Sequence, residues 1–166
     1  MNDEGTTSES QSAAAAARES ATAAIVRPRR RPIGSLTLAD WRLLAFAAAA
    51  QIAIAAALRV IPVAALRRRA QLRTVGRFAA AECDERIVWA ILATGRRLGR
   101  ISTCLVRALA AYLMIDDRRG LVLTIGVRRA DGAIGAHAWL ARSGRVLIGA
   151  APDDYVPLVE WDGLSA

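Results

Sequence analysis

The chain has 166 residues, 54% of them hydrophobic and 5% aromatic, which suits one domain with a real core plus a tail and excludes a wholly disordered protein. All 23 basic residues are arginine and the formal net charge is +8; a general preference for arginine accounts for this as readily as an acidic partner does. The sequence lacks the aromatic interleaving or recognition-helix pattern of a nucleic-acid binder, so no such partner is expected. Two cysteines and one histidine are too few and too scattered for a disulfide scaffold or a metal centre, and neither metal nor cofactor is expected.

Residues 1–33 are rich in Ser, Thr, Ala, Arg and Pro and end in "RPRRRPIG", the composition of a disordered tail. Acidic Asp3 and Glu4, with no apolar stretch directly after them, set this tail apart from a secretory signal. Residues 34–80 form an N-terminal helical region. The pattern "SLTLADWRLLAFAAAAQIAIAAALRVIP" predicts a long helix that Thr37 or Asp40 caps and Pro62 ends or kinks. Its apolar run from Leu43 to Leu58 is broken by Gln51 and closed by Arg59, short of the roughly 20 apolar residues of a span. A helix packed on the domain, or touching a membrane surface through residues 43–60, is the expectation, in a protein of the cytoplasm. Arg67, Arg68 and Arg69 then read as a solvated helix end or as a contact for lipid or acidic peptide.

Residues 81–166 read as the functional domain. "ECDERIVWAILATGRRLGR" predicts a second helix, capped by Asp84, with Ile87, Val88, Ile91, Leu92 and Gly95 on one face. Cys83 precedes it as a structural thiol. A third helix starts at a Ser102 or Thr103 cap, buries Leu105, Ala108, Leu109, Tyr112 and Leu113, and ends at "DDRRG" with Gly120 as its C-cap. The period then changes to that of strands. "LVLTIGVRR" is a strand, "ADGAIG" a turn, "AHAWLAR" a strand, "SG" a tight turn and "RVLIGA" a strand. "APDDYVPLVEWDGLSA" closes the chain as a loop or a short last strand. Helices first and an antiparallel sheet after them make an α+β fold.

Two residues of this domain carry chemistry. Cys104 sits in the first turn of its helix, where unpaired N–H groups and the helix dipole favour an anion, thiolates among them. His137 lies on a strand that follows. A histidine next to such a thiol serves as base for it and as acid for the leaving amine. That pairing needs sulfur and imidazole to meet across the helix–sheet junction. A packed thiol and an unrelated imidazole remain the plain alternative. Helix-borne cysteine followed by strand-borne histidine is also the layout of papain-like and transglutaminase-like enzymes.

The segments "TCLVRALAAYLMIDDRRG", "LVLTIGVRR" and "AHAWLARSGRVLIG" together resemble the leader peptidases of lasso-peptide biosynthesis, over about Val88 to Leu158. "RVIP" resembles the N-terminal region of that family more loosely. The resemblance implies a transglutaminase-like cysteine protease that removes the leader from a ribosomally made precursor peptide before a separate lasso cyclase closes the ring. It implies Cys104 as nucleophile and His137 as general base. No segment resembles the winged-helix module that recognises leaders, so a separate recognition protein is expected to deliver the precursor. The third catalytic member is an aspartate in the family. A Ser143–Gly144 turn would pair Arg142 with Arg145 and set His137 opposite Ala150, where no acid stands. Asp153 is the candidate, with Asp154 beside it and Asp131 behind both; a backbone carbonyl or a bare dyad are the alternatives. For the oxyanion, the backbone N–H of Cys104 is the donor at hand. Trp139 shares the face of His137 by strand alternation, as core aromatic or as wall of a substrate groove.

Overall fold

The structure, a computed structural model, describes residues 32–65, 83–130, 133–149 and 155–162. It is the α+β fold the sequence predicts: among the described residues, helices α1 (Leu38–Val60), α2 (Asp84–Leu98) and α3 (Cys104–Met114) precede strands β1 (Leu121–Ala130), β2 (Ala133–Arg142), β3 (Arg145–Ile148) and β4 (Val156–Asp162). The antiparallel sheet runs in the order β3-β2-β1-β4, so the last strand closes against the first. Pro157, which has no N–H to donate, sits in β4 at the sheet edge, where the register with β1 shifts.

α1 begins with a reciprocal cap. The Thr37 hydroxyl accepts from the Asp40 amide at 3.2 Å, while the Thr37 amide donates to the Asp40 carboxylate at 3.0 Å. Both residues proposed as the cap therefore take part. Asp40 is fully buried, and Arg86 of α2 donates to its other oxygen at 2.8 Å. The Thr37 amide and hydroxyl, with Arg86 beyond them, hold the Asp40 carboxyl at about 2, below its usual 3.8, against burial, which would raise it. A carboxyl bound less tightly by protons in the fold than out of it stabilises the fold above the unfolded value. That stabilisation is present above pH 4 and fades as pH falls from about 4 towards 2. Asp40→Asn is thus expected to cost about 1–2 kcal/mol at neutral pH and to flatten the acid limb of the stability curve. Urea melts of both proteins between pH 2 and 7 check it.

The other helix ends differ in part from the sequence reading. Cys83, not Asp84, is the N-cap of α2, without a side-chain bond; Asp84 is the first helical residue and its carboxylate is taken by Arg142 at 2.7 Å. α3 stops at Met114 with Ile115 as C-cap, five positions before Gly120. Ile115 is buried in extended backbone, which ends the helix, and Gly120 serves instead the turn into β1 with φ +63. At the hairpin, β2 starts at Ala133, so the connection from β1 is tighter than "ADGAIG" suggested.

α3 lies at the centre, with α1 and α2 on one side and the sheet on the other; Ala108, Ala110 and Ala111 are all fully buried, and their small side chains allow close approach. One face of the sheet closes the core. Leu121 and Leu123 of β1, Ala138 and Leu140 of β2 and Trp161 of β4 lie on it, and the Trp161 ring meets Tyr112 of α3 edge-on at 6.4 Å. Arg142, on the same face, ties the end of β2 to the start of α2 through Asp84.

Candidate active site

The start of α3 is capped and tied to both other described helices. Thr103 is its N-cap, accepting from the Val106 amide at 3.3 Å, and Cys104 is the first helical residue, half-buried. The N–H groups of this first turn have no partner within the helix and point towards the space an anion would take.

A buried polar chain fixes the turn that leads into Cys104. Gln51, the one break in the apolar run of α1, is fully buried. Its amide nitrogen donates to Thr94 of α2 at 2.7 Å and to the carbonyl oxygens of Ala47 and Ile91 at 3.2 Å. Its carbonyl oxygen accepts from the hydroxyl of Ser102, which is buried two residues before the cysteine. Arg107 completes the chain, donating to the Ser102 carbonyl at 2.7 and 2.9 Å and to its hydroxyl at 3.0 Å. α1 and α3 thereby meet at Ser102, and Gln51 ties α2 to the same chain. Gly95 leaves the room: a Cβ there would stand 2.6 Å from the Ser102 hydroxyl and 3.3 Å from the Gln51 oxygen. Gln51→Leu strands buried donors and acceptors on Thr94 and Ser102, and should cost about 1–3 kcal/mol and slow thiol alkylation at Cys104 beyond the change at Cys83. Denaturant melts and peptide mapping after alkylation read the two effects.

His137 stands on β2, and its neighbours are aromatic. Trp139 stacks with it at 6.2 Å between ring centres and 22° between planes, and Tyr155 tilts against it at 5.6 Å. Arg128 lies over the Tyr155 ring at 5.4 Å. Gly126, the register partner of His137, is needed under this group, since a Cβ there would come within 2.9 Å of the Trp139 ring. The Nε2 atom of His137 is buried and has no hydrogen-bond partner among the described residues.

Strand alternation decides which way this cluster points. Ala138 and Leu140 enter the core beneath α3, so His137 and Trp139 project from the opposite face of the sheet. Cys104 belongs to the helical layer and His137 to the far face of the strand against which that layer packs. The structure therefore groups His137 with Trp139, Tyr155 and Arg128, and turns it away from the helix that carries the thiol.

The Ser143–Gly144 turn is present, with φ +47 and +81, and Arg142 pairs with Arg145. The pairing then slips between Leu140 and Ala141, so that Leu140 faces Ile148 and not Leu147. The simple count that set His137 opposite Ala150 misses this bulge. Asp153, Asp154, Asp131 and Ala150 lie outside the described residues. Among the described residues no group of histidines, cysteines and carboxylates suits a metal ion. Gln51, Thr94 and Tyr155 carried no functional reading in the sequence; the lone amide inside an alanine-rich run was the visible sign of the first.

The sequence pattern of the transglutaminase-like superfamily matches residues 42–160, most of the chain, from within α1 into β4. No curated protein and no solved structure matches the chain significantly.

Proposed function

The chain belongs to the transglutaminase-like superfamily, and from that premise we propose that it is a cysteine peptidase that removes the leader from a ribosomally made lasso-peptide precursor. Cys104 is the nucleophile and its own amide the oxyanion donor; His137 is the base, a role that requires its imidazole to turn from the far face of β2 towards the thiol, and Asp153 is the candidate to orient it. The single observation that carries the reading is the placement of Cys104 as the first residue of a capped, buried helix within a chain of this superfamily. A helix start supplies N–H groups to a developing oxyanion. In the reaction the sulfur adds to the carbonyl at the leader–core junction, the imidazolium protonates the departing amine, and water then releases the leader acid from the thioester. A separate recognition protein presents the precursor and a separate cyclase takes the product. Incubating the chain, the recognition protein and the precursor encoded with them, and following the free leader by mass spectrometry, tests the proposal.

A second reading has its own observation. His137 and Trp139 project from the face of β2 opposite Ala138 and Leu140, and with Tyr155 and Arg128 they form an aromatic and cationic cluster there. On this reading the domain binds peptide without cutting it, and Cys104 is a packed thiol. Cleavage that depends on Cys104 excludes it.

A further inference from the structure

α1 is apolar on every side, yet the fold covers only one. Leu43, Ala47, Gln51 and Ile54 face α2 and α3, and 22% of the most apolar window of the helix is buried. Helical spacing puts Trp41, Ala45, Ala49, Ile52, Ala53 and Ala56 on the opposite side, all exposed. A helix on the surface of a water-soluble domain ordinarily turns charge outward there. Here Arg42 and Arg59 stand at the two ends of the strip and only alanine and isoleucine lie between them. The one acid of the helix, Asp40, points inward to Arg86.

We propose that this outer face lies on an anionic lipid surface, the helix parallel to the membrane, with Trp41 and Ile52 in the boundary between headgroups and acyl chains and Arg42 and Arg59 at the phosphates. Charge chooses this occupant over a second copy of the chain. An antiparallel pair of α1 helices would set Arg42 beside the other copy's Arg59, and a parallel pair would set each arginine beside its twin. The core chooses a surface position over a span. Gln51 on the inner side is bonded to α2 and directly to the turn before α3, and a helix drawn into the bilayer would break those bonds and uncover Leu43 and Ile54. The inference stands apart from the peptidase reading, since it uses none of Cys104, His137 or Asp153.

Vesicle flotation of the full chain tests it. The protein should rise with vesicles of phosphatidylcholine and phosphatidylglycerol and stay behind with phosphatidylcholine alone. Arg42→Gln and Arg59→Gln should each weaken partitioning roughly fivefold. Ala49→Glu should bring flotation to background while leaving the thermal melt unchanged, because Ala49 is exposed. Equal flotation with both vesicle types, or indifference to Ala49→Glu, overturns the proposal. So does resistance to alkaline extraction, which marks an inserted span. A dimer that Ala49→Glu dissolves, or binding only to an acidic protein partner and to neither vesicle, overturns it too.

Discussion

Replacing Cys104 by alanine should lower leader removal by at least about 10⁴-fold, the scale on which loss of a covalent nucleophile acts. The fold should not change. Cys104 is half-buried at the first position of α3, its cap bond belongs to Thr103 and Val106, and the polar chain behind it ends at Ser102 and Arg107. None of these contacts uses the sulfur. The same position permits a test without a precursor. Cys83 is exposed and Cys104 is half-buried, so access alone makes Cys83 the faster thiol towards iodoacetamide near neutral pH. A faster Cys104 reports activation that outweighs its burial. Equal cleavage by Cys104→Ala and the parent, in the presence of the recognition protein, would remove the peptidase reading.

The order of helices and strands was legible because both periods are clean. Leu121, Leu123, Ala138 and Leu140 alternate towards the core, and Ile87, Val88, Ile91 and Gly95 recur at helical spacing; all of them are buried. A cap at Ser102 or Thr103 with Cys104 in the first turn could be read because capping is a local event; the structure selects Thr103. The bulge that shifts Leu140 onto Ile148 could not, since an extra residue in a strand leaves no mark on alternation until its partner is known. The direction of His137 relative to Cys104 was equally hidden. The pattern fixes that His137 and Trp139 share a face opposite Ala138 and Leu140, but the side on which α3 packs is set by tertiary contacts such as Tyr112 on Trp161. Gln51 read as a flaw in an apolar run. Its partners Thr94 and Ser102 lie 43 and 51 residues away, and a buried amide is explained only when all its bonds are seen together.

His137→Ala is the second large effect, and the more discriminating one. If the imidazole moves the proton between sulfur and leaving amine, its removal should lower cleavage by about 10²–10⁴-fold. Stability should shift little, by about 1 kcal/mol or less, because the ring is half-buried and Nε2 has no hydrogen-bond partner among the described residues to lose. Trp139→Phe is the control. It keeps a ring on the same face and removes neither candidate reacting group, so a role for the face in peptide binding alone would show as similar losses in both variants, carried by KM. A base would show as a fall in kcat confined to His137→Ala, with slower alkylation at Cys104 in the same variant. The face that β2 presents makes this outcome informative: with Ala138 and Leu140 directed at α3, an imidazole that governs the Cys104 thiol must be reached past the strand backbone. Unchanged cleavage and unchanged thiol reactivity in His137→Ala would assign the ring to the aromatic surface with Trp139 and Tyr155, and would leave Cys104 to work with a base other than this one.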